Sequence, residues 1–161
     1  MSANELSAAL WRERELLELL AFKLEEEHLL LTAGRTRWLP YATREVEQVV
    51  ERLSGASLAR SIAATTLAEL WRAPHDATLR QLIEHAPDET WREILTGHLA
   101  ALTELTGQIR ELRDGNERFL RQAARSAEET LAATDGLGDR YDASGGQTAS
   151  ARGGDLFVKD L

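Results

Sequence analysis

A chain of 161 residues favours one domain over two, and a hydrophobic content of 43% gives it enough apolar material for a packed core. Its 27 Asp and Glu outnumber 19 Lys and Arg, for a net charge of −8. That balance lacks the basic footprint that supplies most affinity for nucleic acid or anionic membranes. The absence of cysteine excludes disulfides, thiolate metal ligands and a cysteine nucleophile.

The N-terminal stretch MSANELSAALWRERELLELL carries charges every few residues and has no signal-peptide core. No apolar run approaches the roughly 18 residues needed to cross a bilayer. A soluble cytoplasmic protein without membrane insertion is the expectation. Leu10, Leu17, Leu24, Leu31 and Trp38 recur every seven residues, and Leu6, Leu16, Leu20 and Leu30 widen the stripe. This period predicts a first helix from about Asn4 to about Ala33, packed lengthwise against other helices. Glu13, Arg14, Glu18, Lys23 and Glu26 fall between the rungs and read as its wet side, together with Glu25 and Glu27.

Pro40 suits the first turn of a second helix. Val46, Val49, Val50, Leu53, Ala56, Ala63, Leu67, Leu70 and Trp71 hold one helical phase through the weak Ser54-Gly55 stretch, up to the stop at Ala73-Pro74. Asp76 is the expected N-cap of a short helix carrying Leu79, Leu82 and Ile83. Ala86-Pro87-Asp88-Glu89 ends it and opens the longest helix. There Trp91, Leu95, His98, Leu102, Leu105, Ile109, Leu112, Asn116, Phe119 and Ala123 alternate by four and three, a heptad seam.

After Leu131 the texture changes, with six of the 11 glycines in the last 26 residues. The predicted fold is all-α. It is an elongated antiparallel helical bundle of three long helices and one short connecting helix over residues 1–135. A flexible glycine-rich tail over residues 136–161 follows, ending in DLFVKDL.

Helix lengths carry a functional hint. At about 1.5 Å per residue, the first two long helices span about 45 Å each and the last about 70 Å. The first two therefore cannot cover all of the last. Beyond Asn116 it keeps an apolar line of Phe119, Leu120, Ala123, Ala127 and Leu131. A partner protein or a second copy is the natural cover for such a face.

Residues that suggest chemistry are few. Glu25 and His28 have the Glu-x-x-His spacing of di-iron bundles, but such a site needs a second pair and two further glutamates, and no second Glu-x-x-His exists. The pair reads as a solvated helix flank. His98, in the seam of the last helix, reads as a satisfied core or boundary residue, and His75 and His85 receive no role. The serines lack a nucleophile-elbow setting, and the glycines form no phosphate-cradling loop. No catalytic, cofactor-binding or metal residue is assigned. Asn116 holds a core-facing seam position, where it either fixes helix register or contacts a partner. Tyr141, a lone aromatic in GDRYDASGG, is either incidental or an anchor that docks on binding.

LWRERELLELLAFKLEEEHLLLTAGRTRWL (residues 10–39), Asn116-x-x-Phe119-Leu120 and Tyr141-Asp142-Ala143-Ser144-Gly145 together resemble the FlgN-type flagellar export chaperones, in the same order and at similar spacing. The resemblance implies a cytoplasmic, all-helical, non-enzymatic protein without cofactor. Such a protein binds the C-terminal helical segments of hook-associated proteins, keeps them unassembled and delivers them to the type III export gate. It places the client on Leu112, Phe119, Leu120, Ala123, Ala127 and Leu131, and Asn116, in the same seam, joins them as a client-binding candidate. It gives Tyr141 the docking contact with the cytoplasmic domain of the gate protein FlhA. The alternative from another class is a structural coiled-coil protein that self-associates without a client. A chaperone without its client is expected to be a monomer or weak dimer, and a structural protein a stable oligomer.

Overall fold

The computed structural model describes residues 2–143, with side chains from Ala3 to Gly136. The described residues form an all-helical bundle: α1 (Ser2–Thr32), a 3₁₀ turn (Thr36–Trp38), α2 (Leu39–Trp71), α3 (Leu79–Glu84) and α4 (Glu89–Ala143). The chain divides into two units, Met1–Leu120 and Arg121–Leu161, and the division falls within α4.

Local chemistry sets the helix ends. Gly34, at φ +65°, takes the left-handed conformation that ends α1. The Arg35 amide then reaches back to Leu30 O at 2.9 Å and the Gly34 amide to Leu31 O at 3.2 Å, a Schellman stop. The seven-residue series therefore breaks before Trp38, which sits exposed in the 3₁₀ turn rather than as a rung. Pro40 lies in the first turn of α2 as expected. At the other end of α2, Arg72 adopts φ +56° and the Ala73 amide bonds Ala68 O at 2.8 Å, the same stop made without glycine. Pro74 follows directly. The N-cap of α3 is Thr78, not Asp76: the Gln81 amide donates to its hydroxyl, and the Gln81 side chain accepts from the Thr78 amide, a reciprocal capping box. Asp88 caps α4 by accepting from the Trp91 amide at 2.9 Å.

Within residues 1–120, α1 and α4 run parallel, because side chains that meet between them keep a nearly constant separation in sequence, 91 residues at Ser7–His98 and 88 at His28–Asn116. Partners on α2 descend as α1 ascends, Arg60 beside Glu13 and Thr43 beside Glu27, so α2 is antiparallel to both. Two apolar clusters fill the space between. Leu6, Leu10, Leu67, Ala68, Leu82 and Leu95 form one, which α3 helps to seal. Leu20, Leu24 and Val49 form the other, with Ile109 and Leu112 against them. Each such leucine contributes about 1.5–3 kcal/mol by leaving water.

Two expectations about polar residues are corrected. Glu13 and Glu27 do not belong to the wet side of α1; both are buried, Glu13 paired with Arg60 of α2. In α2, conversely, Val50 and Leu70 of the expected apolar phase are exposed. In the second unit the helix continues from Arg121 to Ala143, eight residues past the end expected at residue 135. A glycine within a helix costs only about 0.5–1 kcal/mol relative to alanine, so Gly136 and Gly138 do not by themselves stop it.

Candidate partner-binding surface

A polar knot lies where α4 approaches the C-terminal part of α1. Asn116, only 2% exposed, donates one amide proton to Leu24 O at 2.9 Å and the other to Glu27 Oε2 at 3.1 Å. With both protons committed, its Oδ1 must accept, and it does so from His28 Nδ1–H at 2.9 Å. That bond fixes the orientation of the His28 ring, with a proton on Nδ1. Glu27 completes the knot by accepting from the Thr43 hydroxyl at 2.9 Å, so its carboxyl joins α1, α2 and α4. Buried polar groups are tolerated where every donor and acceptor is met in this way.

This arrangement bears on two sequence expectations. His28 is not a solvated flank but half-buried, and its ring stands edge-on to Phe119 at 5.4 Å between centroids. Asn116 is engaged entirely with α1 and its side chain is buried, the arrangement expected of a residue that fixes helix register. Glu25, the other half of the metal-like spacing, is exposed and takes no part in the knot.

From Asn116 onward the character of α4 changes. Leu112 is half-buried against the second apolar cluster. Phe119 and Leu120 are 40% and 42% exposed. In the second unit Ala123 and Ala127 are exposed, and Leu131 is 65% exposed. Every described side chain from Arg121 to Gly136 lies in the exposed class. The backbone of Tyr141 belongs to the last turn of α4, while its side chain lies outside the described residues, as do Gly145 and the DLFVKDL terminus.

Alongside the knot, within residues 1–120, an open groove of about 560 Å³ runs between α1 and α4, with Phe22, Glu25 and His28 on one wall and Leu105, Leu112 and Gly115 on the other. Phe22, which no motif or heptad rung singles out, is exposed beside the buried leucine seam.

At the opposite end of the bundle His98 is buried, 3.2 Å from Ser7 Oγ and edge-on to Trp11 at 5.3 Å. Burial, with the nearby Arg14 charge adding to it, holds this imidazole below the ordinary histidine value. Its surroundings are those of a packed core residue. Among the described residues, no group of three or more His, Cys, Asp or Glu side chains is gathered as a metal site, and no helix is long and apolar enough to cross a membrane.

The described residues define an all-helical protein whose longest helix carries an exposed apolar line. The family model described as FlgN protein matches residues 1–149, and the chain belongs to that family of flagellar export chaperones, which are not enzymes. No curated protein and no solved structure matches the chain.

Proposed function

We propose that this chaperone works in the cytoplasm and binds the C-terminal helical segments of hook-associated proteins along the apolar line of α4. Phe119, Leu120, Ala123, Ala127 and Leu131 contact the client, with half-buried Leu112 at the start of the line. Asn116 acts from below, holding α4 in register on α1. The observation that carries the reading is that the apolar period of α4 continues after burial ends.

Client segments that join neighbouring junction proteins are sticky by construction, and packing them on α4 hides that surface. Recognition is helix-in-groove, with apolar anchors for affinity and flanking charges for register. Tyr141 presents the loaded chaperone to the cytoplasmic domain of FlhA. No nucleotide, metal or cofactor enters the cycle, and without client the chain is a monomer or weak dimer.

Binding of purified hook-associated proteins and of the FlhA cytoplasmic domain tests both halves. Phe119→Asp with Leu120→Asp should abolish client binding and spare gate capture, whereas Tyr141→Ala should do the reverse. Normal client binding by the double variant would place the client elsewhere, and equal loss of both activities in Tyr141→Ala would remove the division of labour. A stable oligomer on sizing, with no client bound, would favour the structural coiled-coil reading.

A further inference from the structure

We infer that the groove between α1 and α4 seats an amphipathic helix whose apolar stripe is flanked by Lys or Arg, so that Phe22, Glu25, Glu111 and Gly115 belong to the client site. This rests on the export-chaperone reading and names the chemistry of its client.

Shape comes first. The lining residues run from Glu18 to His28 on α1 and from Leu105 to Gly115 on α4. Eleven residues of each parallel helix make a trough of about 15 Å, about three turns long, which suits anchors at i, i+3/i+4 and i+7 of an entering helix. Its apolar lining is Ala21, Phe22, Leu105 and Leu112, with Phe22 exposed and the two leucines half-buried. Gly115 is half-buried at its edge, yet a Cβ built there would meet no atom within 4 Å. The backbone of α4 is therefore open to close approach by another helix at that point.

Charge then selects the occupant. Three carboxylates line the trough: Glu18, Glu25 and Glu111. Arg14 engages Glu18 at 3.1 Å, whereas among the described residues no cation stands within ion-pair distance of Glu25 or Glu111. Two unpaired acids beside an apolar trough, on a chain of net charge −8, favour a helix with cationic flanks and disfavour a second copy of this acidic chain. The trough is also continuous with the proposed client line, because His28 lines it and touches Phe119.

The test uses the full chain and two synthetic helical peptides with the same leucine stripe, one flanked by Lys and one by Glu. The Lys-flanked peptide should bind about tenfold or more tighter, a difference of about 1.4 kcal/mol, and salt should shrink that preference. Gly115→Trp, which fills the trough at an open position, should remove binding of both peptides. Glu25→Lys with Glu111→Lys should reverse the preference. Thermal melts at or above the wild-type value show that the variants fold, since none of these positions is in the core.

Equal binding of the two peptides, or unchanged binding by Gly115→Trp, overturns the inference. So does a homodimer that Gly115→Trp dissolves, which would give the trough to a second copy. Hook-associated proteins that bind wild type and Gly115→Trp alike would leave the chaperone reading standing and the trough unassigned. Failure of wild type to bind any of them, with the peptide preference intact, would do the opposite.

Discussion

The two halves of α4 share one sequence rhythm and have opposite surroundings. From Leu95 to Asn116 its apolar positions are buried or half-buried against α1, α2 and α3. From Phe119 to Leu131 the same rhythm continues with exposed side chains. Periodicity thus reports which face of a helix is apolar, whereas burial depends on whether another element reaches it. A helix with an exposed apolar face is suited to intermolecular contact.

The widest separation between the halves should appear in stability. Leu95, fully buried, should cost about 2–5 kcal/mol when truncated in Leu95→Ala, because a cavity adds to the lost transfer energy. Leu131→Ala, at a largely exposed position, should change stability by less than about 0.5 kcal/mol while weakening client binding. Urea denaturation of both variants checks the contrast, and a comparable loss at both positions would erase it.

The boundary between the halves is the Asn116 knot. Asn116→Ala strips hydrogen bonds from Leu24 O, Glu27 and His28 at once and should cost about 1–3 kcal/mol. It should also loosen the ring contact between His28 and Phe119, so client affinity should fall with it. Unchanged client binding at reduced stability would confine the knot to a structural role.

Much of this was legible in the sequence. The leucine heptads gave the helices and most of the core, and the run beyond Asn116 was readable as an apolar face without a cover. The buried acids were not recognised, although a signal was present. The series Leu6, Glu13, Leu20, Glu27 keeps the same seven-residue step as Leu10, Leu17, Leu24, offset to the adjacent core position. Glutamate at such a position is buried only if partners on other helices meet it, and Arg60, Thr43 and Asn116 are far away in sequence. The α3 cap was misplaced for a simpler reason: Thr78-x-x-Gln81 is a capping-box pair that outcompetes the nearby Asp76. The pairing of His28 with Asn116 across 88 residues depends on helix register, which periodicity within one helix does not contain.

A smaller effect concerns the end of the bundle remote from Asn116. His98 is held below the ordinary value of 6.5 by burial and then by Arg14. The unfolded chain therefore binds a proton there first as pH falls. The stability that neutral His98 provides is complete above about pH 6.5 and declines as pH drops below it, towards the folded value. His98→Gln should flatten the difference in denaturation midpoint between pH 7.5 and pH 5.5, and an unchanged difference would assign that slope to other groups.

If the exposed line of α4 is the client surface, client binding should shield it. Hydrogen exchange of the full chain, with and without a C-terminal segment of a hook-associated protein, addresses it directly. Added protection is expected across residues 117–136 and at Phe22 to His28, with α3 and the centre of α2 unchanged. Protection confined to α2 or α3, with residues 117–136 exchanging as in the free chain, would contradict it.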